Sequence, residues 1–136
     1  MSNTEQTLSI IKPDAVERNL VDDIKNIFTK NNLKVIDNKK IHITKEEAAD
    51  FYKIHQSKPF YNELCLYLSS GPIIVMILEG ENAVLAYRKL MGATNPKEAD
   101  ENTIRKLYGI SIDKNSVHGS DSVENANKEI KFFFKD

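Results

Sequence analysis

Cysteine is nearly absent: Cys65 is the only one in the chain. That excludes an intramolecular disulfide, leaves no thiol pair to hold a metal, and fits a reducing compartment. Long apolar runs are missing as well. The longest, IIVMIL at 73–78, falls far short of a membrane span, which needs roughly 20 residues. The opening MSNTEQTLSIIKPD has no basic stretch followed by an apolar core, so no signal peptide is read. A cytoplasmic protein with no membrane partner is expected. Charge of one sign is lacking: 19 basic and 20 acidic residues leave a net charge of −1, which argues against a non-specific nucleic-acid binder. A few clustered cations would still serve a polyanionic small molecule. Neither a Walker loop nor a kinase-type glycine-rich loop is present, so any phosphate chemistry needs another scaffold.

What is there reads as one ordinary domain. A length of 136 residues can bury one core, and 40% hydrophobic with 29% charged residues is the balance of a globular chain. TLSII at 7–11 predicts a strand, ended by KPD, where proline suits a helix start. Leu20, Val21, Ile24, Ile27 and Phe28 recur at helical spacing, which predicts one helix running to about KNN. Val35, Ile36, Ile41 and Ile43 predict a long strand or a hairpin around DNKK. Thr44 and Glu47 make a capping box, so a helix follows, with Ala48, Tyr52 and His55 on one face until SKP breaks it. Phe60, Leu64 and Leu68 mark a second short helix.

The run at 73–78, bounded by Gly-Pro and Glu-Gly, predicts a central strand buried on both faces. ENAVLAYRKLMG predicts a helix stopped by Gly92, followed by a polar loop over 93–102. TIRKLYG is a short helical piece, SVHG a short strand, and DSVENANKEIKFFF a helix. Reduced to its core, this order is βαββαβ with extra helices, an α/β (α+β) sandwich of ferredoxin-like type with a four-stranded antiparallel sheet. A doubly wound sheet would need more parallel strands than the chain offers.

Three histidines are available. His42 alternates with Ile41 and Ile43 and is expected at the surface. His55 reads as a helix-surface residue. His118 stands apart, followed by Gly119, Ser120 and Asp121 and then a helix start. The glycine leaves room for a ligand to approach, and a helix N-terminus favours anions. Such a histidine accepts a phosphoryl group on nitrogen, or it is merely a loop residue beside a capping Ser-Asp. Lys12, Arg88 and Arg105 lie within apolar patterns and hint at one anion site, although a single such cation commonly snorkels from a core edge.

Six segments, in order, resemble the nucleoside diphosphate kinase family over nearly the whole chain. They are IIKPDAVERNLV, FYKIHQSKPFYNEL, SGPIIVMILEGENAV, GATNP, TIR and NSVHGSDSVENANKEI. The family signature N-x-x-H-G-S-D stands at Asn115 to Asp121. The resemblance implies a single domain of this family over 1–136. It implies a ping-pong transfer of the γ-phosphate of a nucleoside triphosphate, mainly ATP, to a nucleoside diphosphate through phosphohistidine. His118 is similar in place to the family nucleophile, attacking through Nδ1, with Glu129 bonded to the other ring nitrogen and the Ser120 hydroxyl beside them. Lys12 and Asn115 match residues near the sugar hydroxyls, Lys12 also lying near the transferred phosphate. Tyr52 matches a hydroxyl over the γ-phosphate. His55, Arg88, Thr94 and Arg105 match groups around the phosphates, and Phe60 matches the aromatic that stacks on the base.

The resemblance also implies Mg²⁺ held mainly through nucleotide phosphates, with no protein metal-ligand set, and a homo-oligomer, a hexamer in preference to a tetramer. Three features depart from the family pattern. KEADEN at 97–102 lacks a Pro-Gly before Thr-Ile-Arg, Asp113 replaces a common glycine, and no long tail follows FFF. Two other classes stand beside the kinase: a phosphohistidine relay protein, opposed by Phe60 and the arginines, and a non-catalytic binding module, opposed by His118, Lys12, Tyr52 and Arg105.

Overall fold

The computed structural model describes residues 4–53, 56, 57, 59, 61–110 and 116–134. Its centre is a four-stranded antiparallel sheet: β1 (Thr4–Ile11), β2 (Lys34–Ile41), β3 (Ile73–Glu81) and β4 (Val117–Gly119), in the order β2-β3-β1-β4. This is the expected ferredoxin-like arrangement. Helices α1 (Pro13–Glu17) and α2 (Val21–Lys30) join β1 to β2. Helices α3 (Lys45–Phe51) and α4 (Tyr61–Leu68) are the additions between β2 and β3. Helices α5 (Ala83–Met91) and α6 (Ile104–Tyr108) join β3 to β4, and α7 (Val123–Phe133) closes the described fold.

The sheet is filled from both sides, as the continuous apolar run predicts. Alternate residues of β3 point to opposite faces. Ile74, Met76 and Leu78 pack with Ile24 and Phe28 of α2 and Tyr87 of α5. Ile73 and Val75 pack with Ala48 of α3, Cys65 and Leu68 of α4 and Phe133 of α7. Both β3 and β1 are interior strands; the buried stretch of β3 is wholly apolar, whereas β1 places the buried hydroxyls of Thr7 and Ser9 on the face toward α5.

Several boundaries differ from expectation. The single helix expected after KPD is two, broken at Asn19, whose φ of 59° lies in the left-handed region. Leu20 N–H bonds back to Ala15 C=O at 3.0 Å and closes the first helix. The ambiguous DNKK segment is one strand with a register irregularity between Val35 and Asp37, not a hairpin. Helix α3 ends at Phe51, before SKP, with Tyr52 as its C-cap. Gly92 does stop α5, at a φ of 84°. Left-handed backbone recurs at Asn32, Asn82 and Asn102, so asparagine serves most of the described tight reversals.

Candidate active site

Strand pleating decides what surrounds His118. In the edge strand β4, His118 lies opposite Ile10 of β1, while Gly119 lies opposite Ser9. Residues opposite one another share a face, and neighbours along a strand take opposite faces. His118 therefore points to the face covered by α3 and α7, and Gly119 to the face covered by α5. On the first face, the His118 ring meets Phe51 edge-on at 5.3 Å and Tyr52 at 6.1 Å between centroids. The second turn of α7 brings Glu129 to the ring.

The His118 Nε2 atom lies 3.3 Å from Glu129 Oε1, and the Ser120 hydroxyl donates to the same oxygen at 2.8 Å. A carboxylate only accepts, so the bonding proton sits on Nε2 and the lone pair remains on Nδ1. Ser120 is fully buried, whereas the His118 side chain keeps about a fifth of its surface exposed, enough for a substrate to reach it. Ser122 caps α7, accepting from Asn125 N–H at 3.1 Å, which leaves Ser120 for Glu129.

The cations gather from other elements. Lys12 is buried at the junction of β1 and α1, and its N–H donates to Ser116 C=O at 2.8 Å. Arg105 on α6 is buried too. Its Nη1 donates to Gly92 C=O at 3.1 Å and its Nη2 to Val117 C=O at 2.9 Å, while Nε has no partner among the described residues. Burial and then the neighbouring Arg88 hold this guanidinium below its ordinary range, against the tyrosines Tyr87 and Tyr52. Burial pushes the Tyr52 phenol well above its usual range, with Cys65 and Glu129 adding and Arg105 opposing. Asp121 is exposed, and the Asn125 amide, ahead of Arg88, holds its carboxyl below the usual range. Tyr52, Arg88, Arg105, Asp121 and Glu129 are thus linked through one another electrostatically, and of these Tyr52 and Glu129 touch the His118 ring. Arg88 and Thr94 are both exposed.

His55, Phe60 and Asn115 lie outside the described residues, as does Asp113. His42 is exposed as expected and bonds to Ser69 C=O through Nε2 at 2.8 Å. The reason for Gly119 needs correction. A Cβ there would meet Tyr87 Cε2 at 2.6 Å and Met91 Cε at 2.7 Å. The missing side chain makes room for the core behind the sheet, not for a ligand. Two neighbours of His118 were not foreseen: Phe51 on the front face and Tyr87 behind. Tyr87 lies on the Val84, Tyr87, Met91 stripe of α5, so its burial was readable, but the target of its hydroxyl was not. An open cavity of about 1050 Å³ at α1 and the Ser70–Pro72 turn is lined by Asp14, Arg18 and Tyr67 and does not reach His118.

A histidine held by a carboxylate at the end of an edge strand, with arginines on neighbouring helices, is the equipment of a phosphotransferase on a ferredoxin-like sheet. Comparison with known proteins makes the assignment narrower. The family model described as Nucleoside diphosphate kinase matches residues 5–136. A nucleoside diphosphate kinase of a Nitratiruptor species is 56% identical over 130 residues, 96% of this chain and 95% of the relative. One of Rhizorhabdus wittichii is 55% identical over 132 residues, 97% of this chain and 94% of the relative. The crystal structure of the Aquifex aeolicus nucleoside diphosphate kinase superposes with a TM-score of 0.95 at 38% identity, covering 97% of this chain and 96% of that one. The chain belongs to the nucleoside diphosphate kinase family, enzymes that transfer phosphate from a nucleoside triphosphate to a nucleoside diphosphate by way of a phosphohistidine.

Proposed function

We propose that His118 is the phosphate carrier of this chain and that Glu129, Ser120, Lys12 and Tyr52 serve it. In the first half-reaction Nδ1 attacks the γ-phosphorus in line. The N–P bond forms as the bond from phosphorus to the bridging oxygen breaks, and the diphosphate leaves with that electron pair. In the second, a terminal oxygen of another nucleoside diphosphate attacks the same phosphorus, and the N–P pair returns to the ring. Phosphoryl transfer asks the protein mainly for positioning and for positive charge. The bond from Nε2 to Glu129 supports this reading most directly, because it fixes the ring and leaves Nδ1 as the nucleophile.

Lys12, Arg88, Arg105, Thr94, His55 and Asn115 are proposed to hold the phosphates and sugar, and Phe60 to stack on the base. Stacking reads no base edge, which suits a kinase that accepts several nucleotides. Mg²⁺ fits the donor set if the nucleotide phosphates supply most of its oxygens. Among the described residues no three of His, Cys, Asp or Glu are grouped to hold a metal. When bound, the ion draws charge from the phosphate oxygens. No described helix is long and apolar enough to cross a membrane. A cytoplasmic homo-oligomer, hexameric in preference to tetrameric, completes the proposal.

The test is incubation with ATP followed by detection of acid-labile, alkali-stable phosphate on the protein, then its transfer to an added diphosphate. His118→Ala is expected to abolish both steps while ADP still binds. Turnover near that of the unsubstituted chain in this variant would refute the assignment.

A further inference from the structure

Tyr87 is fully buried on α5, behind the sheet, and the chemistry described so far does not use it. Its hydroxyl donates to His118 C=O at 3.0 Å and lies 2.7 Å from Ser9 Oγ. The phenol has one proton, and a carbonyl can only accept it, so the Ser9 hydroxyl donates to the Tyr87 oxygen. The ring is fixed by its own contacts. It stands edge-on to Phe28 at 5.4 Å, and it fills the space that a Gly119 side chain would need. Burial pushes the phenol well above its ordinary range, so the donor proton stays in place at any working pH.

This support falls where the sheet gives least. Strand β4 has three residues and pairs only with β1. Lys12 N–H bonds Ser116 C=O, and antiparallel alternation then turns the His118 carbonyl toward β1 and the Val117 carbonyl outward. Arg105 caps the outward carbonyl at 2.9 Å. Tyr87 adds a second donor to the inward one. We infer that Tyr87 is a positioning residue for phosphoryl transfer: its hydroxyl fixes the His118–Gly119 peptide from the back of the sheet, and so the direction in which the imidazole leaves the backbone. The inference rests on the reading of His118 as nucleophile. In-line attack depends on placement of the nitrogen to a fraction of an ångström, so a peptide plane free to rock slows the step without weakening nucleotide binding.

Two variants separate positioning from packing. Tyr87→Phe keeps the ring against Gly119 and deletes the hydroxyl, but leaves the Ser9 hydroxyl buried without its partner. Ser9→Ala with Tyr87→Phe removes that orphan as well, and an apolar pair of similar shape is close to neutral for stability. Single-turnover formation of acid-labile phosphoprotein is measured at saturating ATP, together with ADP affinity and melting temperature. Tyr87→Phe is expected to react roughly three- to tenfold slower with unchanged ADP affinity. The double variant is expected to recover melting temperature and to remain slow. An unchanged rate in Tyr87→Phe would overturn the inference. So would recovery of the rate along with stability in the double variant, or a loss confined to ADP affinity. If the unsubstituted chain forms no acid-labile phosphate, the His118 reading itself fails, and this inference with it.

Discussion

A single oxygen, Glu129 Oε1, receives both the imidazole and the Ser120 hydroxyl. Replacing this carboxylate by an amide removes a charge-assisted bond worth roughly 1–3 kcal/mol. Glu129→Gln is therefore expected to slow phosphorylation of His118 about five- to 150-fold without abolishing it, read by rapid quench. A rate equal to that of the unsubstituted chain would remove Glu129 from the site. Gly119→Ala is a different kind of change. Its new methyl would enter the Tyr87 ring at 2.6 Å, so overpacking of about 1–3 kcal/mol is expected, seen as a lower melting temperature together with slower phosphorylation. If glycine served only to admit a ligand, this variant would bind nucleotide poorly yet melt normally. At this scale the residues around His118 left a phosphoryl acceptor and a plain loop residue both open, and only the family resemblance paired His118 with Glu129, a contact that the structure forms at 3.3 Å. The Tyr87 contact was not legible, because the direction of a hydroxyl depends on which strand lies in front of the helix.

Elements were legible in proportion to how local their causes are. The capping box at Thr44 was readable because both partners lie within four residues, and both of its bonds form, at 2.9 and 3.1 Å. Thr44→Ala should cost about 0.5–2 kcal/mol. Since α3 ends at Phe51 and is followed by its C-cap Tyr52, and the rings of both meet His118, the substitution is expected to lower the denaturation midpoint and also to loosen the packing beside His118; an unchanged midpoint would show the cap to be idle. The buried strand β3 and the stop at Gly92 were legible for similar reasons. The break between α1 and α2 was hidden, since hydrophobic spacing continues through Asn19 while the backbone reverses there. The bulge near Val35 and Asp37 was hidden too, because register depends on the partner strand.

At the scale of the whole molecule the prediction concerns assembly. Ile36, Leu66, Leu85, Leu107, Ile110 and Val123 are each more than 40% exposed. Scattered apolar residues are normal on a surface, but the proposed homo-oligomer would cover some of them. Subunits that associate only when native stabilise one another by mass action, so the melting temperature should rise with protein concentration. Sedimentation across a concentration series is expected to show a dimer or larger species at micromolar protein, with the hexamer dominant. A persistent monomer would defeat the assembly proposal, and a clean tetramer would defeat its hexameric part.

The left-handed asparagines at 19, 32, 82 and 102 bear on a state that has no site at all. Glycine would relieve the steric cost of those turns in the native chain. It would also let the denatured chain wander through more conformations, each of which folding must then give up. Asparagine makes the opposite trade: slight crowding at the reversal, and a stiffer disordered ensemble. With five glycines in 136 residues, this chain holds part of its stability in what its unfolded form is unable to explore.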